Sequence, residues 1–164
     1  MTDPLHTYLH DHLAGATFAI DLLKGLAAQT ADSAVAHLAA RLLAEVGADC
    51  QLLESVLQRI DGEPNHLKEV AAWAAQKASR FKLDLTQAVG IFEAIEMLTL
   101  GVQGKLALWN ALRVVQISDA RLSTLDLDEL TSRAIKQFVA LEDMRLQLAP
   151  SALQRPKEFA QVCV

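Results

Sequence analysis

The 164-residue sequence has few turn-forming residues, few aromatic side chains and almost no cysteine. Seven glycines and four prolines leave little material for turns. Two cysteines without a CxxC spacing exclude a disulfide framework and a zinc knuckle. The two Trp, one Tyr and five Phe are too few for a module that stacks nucleic-acid bases on aromatic rings.

An excess of positive charge is also missing. The chain carries 15 basic and 20 acidic residues, a net charge of −5, so we predict no nucleic-acid partner and no anionic membrane partner. The longest apolar stretch, Ala88–Val102, contains Glu93 and Glu96 and is shorter than the roughly 20 residues that span a bilayer. The first residues lack a basic patch followed by an apolar run, which predicts no signal peptide and a cytoplasmic location.

Apolar residues, 52% of the chain, recur at helical spacing along most of it, and this pattern predicts an all-α fold. We expect one domain over residues 1–149 and a loose tail over 150–164. Asp32 or Ser33 caps the second helix, Asp126 caps the last one, and the last one ends before Pro150. The expected helices are four long ones, at about Pro4–Gln29, Ser33–Ile60, Thr86–Val115 and Leu127–Ala149, and a short connecting one at about Leu67–Phe81.

Six of the seven glycines lie inside predicted helices, where each costs about 1 kcal/mol relative to alanine. The favoured explanation is a close approach of neighbouring helices, especially at Gly101 and Gly104, which are one turn apart. The alternative is that these glycines leave space for a bound group.

Each long helix directs at least one ionisable residue toward the interior when the chain is drawn on helical wheels. A buried carboxylate requires a metal, an ion-pair network or a proton, because an uncompensated buried charge costs several kcal/mol. The predicted interior polar residues are His12 on the first helix, Glu45 and Asp49 on the second, Glu93 on the third, and Glu142 and Arg145 on the last.

The amino-acid sequences of several short segments resemble those of a known family. Tyr8–Ala16 followed by Asp21–Leu26 resembles the first helix of small bacterial ferritin-like proteins of unassigned function. Leu43–Glu54 is similar to their second helix, and the helix that contains Glu93–Glu96 and Gly104–Trp109 is similar to a third. The resemblance implies a ferritin-like antiparallel four-helix bundle.

The same resemblance implies a degenerate di-iron site. Ferritin-like di-iron proteins use Glu-x-x-His motifs on two helices, whereas Glu45, Glu93 and Glu142 are followed three residues later by Ala, Glu and Arg. Ala19 stands where the family carries a glutamate on the first helix. The pair Glu63 and His66 has the required spacing, but Pro64 places it in a loop.

Two interpretations of these interior polar residues follow. In the favoured one, Arg145 satisfies Glu142 and Asp49, so that a salt-bridge centre stands in place of the metal. In the alternative, one iron or manganese ion is held by some or all of His12, Asp49, Glu93 and Glu142.

Three functions therefore remain open at this point. The favoured one is a non-catalytic ferritin-like protein with a structural or stress-related binding role, acting as a homo-oligomer, most simply a dimer. The alternatives are an iron- or manganese-dependent oxidase with an atypical ligand set and a homodimeric interaction module. Lys68–Lys82 is a basic stretch that we interpret as a solvated face, or as a contact for an acidic or phosphate-bearing partner.

Overall fold

A computed structural model describes residues 3–61 and 83–154 of the chain. It contains four long helices, as predicted: α1 (Pro4–Gln29), α2 (Ser33–Asp61), α3 (Ala88–Gln116) and α4 (Leu127–Leu153), with a 3-10 turn at Ala120–Leu122 before α4. The predicted short helix at Leu67–Phe81, the pair Glu63 and His66, the basic stretch Lys68–Lys82 and the tail beyond residue 154 lie outside the described residues.

Aspartate side chains cap the starts of three helices. Asp3 Oδ1 accepts a hydrogen bond from the Leu5 amide at 2.9 Å, and Pro4 occupies the first turn, where no amide hydrogen is required. Asp32 caps α2 by accepting from the amides of Ala34 and Val35. Asp126 accepts from the Glu129 amide at 3.0 Å, so the cap predicted for the last helix is confirmed.

The end of α4 differs from the prediction. The helix continues through Pro150 to Leu153 instead of stopping before the proline. Proline removes one helical hydrogen bond, and here it does so one turn before the helix ends. The Gln154 amide donates to the Pro150 carbonyl at 3.3 Å and closes that turn.

The ends of α1 fix its direction relative to α3. Near the end of α1, a methyl group built at Gly25 would meet Leu85 Cδ1, just before α3, at 2.8 Å. At the start of α1, Asp3 forms an ion pair with Arg121, just after α3. The two helices therefore run antiparallel.

Contacts between side chains give the other directions. Asp49 and Glu45 on α2 reach Arg133 and Gln137 on α4 in reverse order, so these helices are antiparallel. The pairs Arg113–Asp128 and Glu96–Arg145 show the same for α3 and α4. With the short α1–α2 connection, every neighbouring pair is antiparallel, and α2 and α3 run parallel across the diagonal.

The core between the four helices is largely aliphatic. Its largest side chains with less than 2% exposure are Leu9, Leu13, Leu23, Leu26, Leu42, Ile95, Leu108, Trp109, Leu112, Leu122, Leu141 and, as the polar exception, Gln137. No helix within the described residues is long and apolar enough to cross a membrane.

Candidate functional site

Asp49 is the charged residue at the centre of the bundle, with 3% of its surface exposed. Its two carboxylate oxygens are taken by two different cations. Lys105 Nζ on α3 donates to Oδ2 at 2.7 Å, and Arg133 Nη2 on α4 donates to Oδ1. One side chain of α2 is thereby tied to both helices of the other hairpin.

A fully buried glutamine extends this network. Gln137 Oε1 accepts a hydrogen bond from Lys105 Nζ, and Gln137 Nε2 donates to Glu45 Oε2 at 2.9 Å. The other oxygen of Glu45 accepts from Arg41 at 3.1 Å, near the surface. We call Arg41, Glu45, Asp49, Lys105, Arg133 and Gln137 the Asp49 network.

The Asp49 network contains three cations and two carboxylates, and therefore one net positive charge. Burial lowers the pKa of Lys105, and the attraction of Asp49 acts in the opposite direction. Pairing and hydrogen bonding are what make such a buried charge tolerable, and removing one partner would leave the others uncompensated.

Arg145 does not reach Asp49. It forms a two-pronged ion pair with Glu142, with both nitrogen–oxygen distances at 2.8 Å, and a weaker one with Glu96 at 3.3 Å. The guanidinium also lies 5.8 Å from the centre of the Phe92 ring. Arg145 and Glu142 are half-buried, so the predicted three-way contact of Asp49, Glu142 and Arg145 is replaced by two separate clusters.

Glu93 differs from its predicted interior position, whereas His12 lies partly inside the bundle. Glu93 is exposed on α3 instead of pointing inward. His12 is half-buried, and its ring makes an edge-on contact with Tyr8 at 4.7 Å between ring centres. Burial lowers the pKa of His12, opposed by the nearby charge of Asp11.

These positions do not suit a metal ion. Within residues 3–61 and 83–154, no three His, Cys, Asp or Glu side chains converge as a metal site would require. Both Asp49 oxygens are held by cations, Glu142 is paired with Arg145, and Glu93 faces solvent. The residues thus do not fit the iron or manganese site considered from the sequence.

A cavity of about 300 Å³ lies next to the Asp49 network, between α1, α2 and α3. This is within the usual size range of ligand sites, roughly 300–1,000 Å³. Most of its lining is apolar, and the polar side chains on it are Asp11, His12, Asp49, Cys50 and Lys105. The apolar lining consists of Gly15, Ala16, Phe18, Ala19, Leu23, Leu42, Val46, Leu53, Leu98, Gly101, Val102, Gly104, Leu108 and Leu141.

Helix glycines border this cavity. A methyl group built at Gly15, Gly101 or Gly104 would meet no neighbouring atom of the described chain within 4 Å. The close helix approach predicted at Gly101 and Gly104 is therefore wrong. Such an approach occurs at Gly25 and Gly90, where a methyl group would meet Leu85 and the Asp84 backbone.

The cavity reaches solvent between α1 and α3. Asp11 and Gly15 on α1 and Gly101 on α3 are exposed lining residues, so they mark its mouth. Ala19, where the family resemblance implies a glutamate, contributes only a methyl group to the wall. Deeper in the cavity, Cys50 is 6% exposed. Burial, and to a lesser extent the charge of Glu54, raises the pKa of its thiol to about 11.

Lys105, Arg133 and Gln137 were not among the predicted interior residues. Gln137 lies three residues after Ala134 and four before Leu141, and therefore on the inner face of α4. Lys105 likewise lies on the face of α3 that carries Leu98 and Val102. Their positions on the helical wheels of α4 and α3 would therefore have been enough to predict Gln137 and Lys105 as interior residues.

Comparison of the chain with protein-family models, with curated proteins and with solved structures finds no match. Over residues 3–61 and 83–154 the protein is all-helical, with four long helices and a buried ion-pair centre at Asp49.

Proposed function

We propose that this protein is a non-catalytic binding protein that holds a small, mostly apolar molecule in the cavity between α1, α2 and α3. The observation that carries the proposal is the lining itself. Glycine with open space above it stands at three helix-interior positions around the cavity, Gly15 on α1 and Gly101 and Gly104 on α3, where alanine would favour the helix by about 1 kcal/mol each. Space kept at that cost supports the presence of an occupant.

The Asp49 network supports a binding role over a catalytic one. Its carboxylates and cations are engaged with each other, and within the described residues no donor set converges for a metal. We propose that the network fixes the helices around the cavity, in the place where a ferritin-like relative would hold di-iron. A ferritin-like origin and a cytoplasmic location remain parts of this proposal.

The proposal is tested with N-phenyl-1-naphthylamine, a neutral apolar fluorophore that brightens in an apolar site. We expect saturable binding of one probe per chain. Bound probe should also slow alkylation of Cys50, a lining residue, as followed by peptide mass spectrometry. Absence of saturable binding, or binding without protection of Cys50, would contradict the proposal.

Two glycine variants give a matched comparison. Gly104→Leu places a side chain in the cavity, whereas Gly47→Leu adds the same side chain at an open position of α2 that does not line it. Gly104→Leu should abolish probe binding while the circular dichroism spectrum stays helical, and Gly47→Leu should bind as the wild type does. Equal binding by both variants would mean that the probe binds outside this cavity.

A second candidate function, homodimerisation, is favoured by an apolar stripe on α4. Ile135, Val139, Leu146 and Leu153 lie on one side of the helix and are 49–63% exposed. The last three are spaced by seven residues, the repeat with which two helices pack along a common seam. Two copies of one stripe are self-complementary across a two-fold axis.

Sedimentation velocity tests the dimer over a range of concentrations. The wild type should sediment as a dimer, and Leu146→Glu should convert it to a monomer. Leu100→Glu is the control, because Leu100 is 60% exposed on α3 and lies outside the stripe. A monomeric wild type, or a dimer that Leu146→Glu leaves intact, would exclude this interface.

A further inference from the structure

We infer that the molecule held in the cavity is a monocarboxylate with an apolar chain, whose carboxylate accepts a hydrogen bond from Lys105 Nζ. This inference rests on the proposed function, because it names the chemistry of the ligand for the same cavity. Three features carry it: the unused donor on Lys105, the net charge of the Asp49 network and the composition of the mouth.

The first feature is the Lys105 ammonium group, which has three N–H donors. One is directed to Asp49 Oδ2 at 2.7 Å and another to Gln137 Oε1. No described residue accepts the third, although the lysine side chain is only 13% exposed and lines the cavity. A ligand oxygen inside the cavity would complete its hydrogen bonding.

The second feature is charge. Arg41 and Glu45 pair with each other near the surface, whereas the buried Asp49 is shared by two cations, Lys105 and Arg133, so one positive charge beside the cavity has no carboxylate of its own. A single carboxylate balances that charge. A neutral alcohol leaves it unbalanced, an ammonium group adds to it, and a phosphate dianion brings one negative charge too many into an apolar cavity.

The third feature sets the orientation of the ligand. The mouth carries the exposed carboxylate of Asp11, and the half-buried imidazole of His12 beside it has a pKa lowered by burial. Among the described residues, no lysine or arginine lines the mouth to hold a carboxylate there. The carboxylate is therefore expected at Lys105, and the apolar chain extends along Leu98 and Val46 toward the opening.

Displacement of N-phenyl-1-naphthylamine by octanoate, octanol and octylamine tests the inference with one chain length and three head groups. A hydrogen bond to a charged group is worth about 1.5–3 kcal/mol, so octanoate should displace the probe at a concentration at least about tenfold lower than octanol. Octylamine should be the weakest competitor. Equal potency of octanoate and octanol would overturn the inference while leaving the proposed function intact.

Variants of Lys105 assign the preference to its ammonium group. Lys105→Met with Asp49→Asn removes one charge of each sign and should bring octanoate down to the potency of octanol. Lys105→Arg should retain the preference, and Lys136→Met, at an exposed lysine of α4, should leave it unchanged. An octanoate preference that persists in the double variant would overturn the inference. Failure of every compound, and of the probe itself, would instead reject the proposed function.

Discussion

Two helix–helix interfaces of the bundle, which we call seams, are built differently, although they lie at the same height along the bundle axis. The seam between α2 and α4 is closed by polar side chains, with Asp49 reaching Arg133 and Glu45 reaching Gln137. The seam between α1 and α3 is lined by Gly15, Gly101 and other small residues and opens into the cavity. Lys105 belongs to both, because it pairs with Asp49 and also lines the cavity wall.

This contrast explains how a four-helix bundle can keep a cavity. A void has no partner atoms and loses packing energy, so the helices around it need support from another side. Charge pairs between α2, α3 and α4 supply that support here, and they are directional, so they fix the spacing of the helices. The small side chains between α1 and α3 can then leave a cavity, because the two helices do not move together to fill it.

The largest expected effect comes from breaking the closed seam. Asp49→Ala leaves Lys105 and Arg133 without their common partner, and it should lower the free energy of unfolding by about 3–5 kcal/mol. Urea denaturation followed by circular dichroism measures this. Glu93→Ala, at an exposed carboxylate, should stay within about 0.5 kcal/mol of the wild type. A similar loss in both variants would mean that Asp49 has no central role.

The next prediction contrasts two kinds of helix glycine. A methyl group at Gly90 would clash with the backbone oxygen of Asp84, and backbone gives way less readily than a flexible side chain. Gly90→Ala should therefore destabilise the protein by about 1–3 kcal/mol, as over-packing does. Thermal unfolding should show a lower melting temperature, and an unchanged or raised value would contradict the close approach of Asp84.

Gly101→Ala should have a smaller effect of the opposite sign. Its methyl group would enter open space, so the gain in helix propensity should raise the free energy of unfolding by up to about 1 kcal/mol. The same thermal measurement applies. Destabilisation by Gly101→Ala would show that α3 is closely packed at this position and would argue against the open seam.

The smallest effect concerns pH at the mouth of the cavity. Burial lowers the pKa of His12 below its ordinary value of 6.5. Between these two values the unfolded chain binds more protons at this site than the folded one, so stability falls as the pH drops through 6.5. Denaturation at pH 7.5 and pH 5 should show a steeper loss for the wild type than for His12→Gln. Parallel losses would mean that His12 is not desolvated.

The helices could be predicted from the sequence because apolar spacing and caps are local signals. Asp3, Asp32 and Asp126 each satisfy backbone amides within three residues, which needs no knowledge of the rest of the fold. The prediction that the last helix ends before Pro150 was wrong for a related reason. A proline one turn from a helix end removes a single hydrogen bond, and whether the helix continues depends on the packing of its last residues.

The partners of the buried charges could not be predicted in this way. A helical wheel places Asp49 inside, but it does not say which side chains of α3 and α4 lie at the same level. On α4, the predicted interior residues included Arg145, which is half-buried, and omitted Gln137, which is fully buried. Because residues were misplaced around the axis of α4, Arg145 was predicted as the partner of Asp49, whereas the actual partner is Arg133.

The glycines show a further limit of sequence reasoning. Gly90 and Gly101 look alike as helix glycines in a line of sequence, yet one faces the backbone of Asp84 and the other faces open space. What distinguishes them is the position of other elements. Close approach of a neighbouring element occurs at Gly25 and Gly90, whereas Gly15, Gly101 and Gly104 face open space.

We propose that the opening between α1 and α3 leads to an apolar cavity that accepts a small molecule. The most direct measurement is the crystal structure of the protein under xenon pressure, because xenon enters dry apolar cavities and gives an anomalous signal. We predict a xenon peak between α1, α2 and α3, close to Leu98 and Val46, that is lost in Gly104→Leu. An absence of xenon from this region, or ordered water filling the space, would contradict the account.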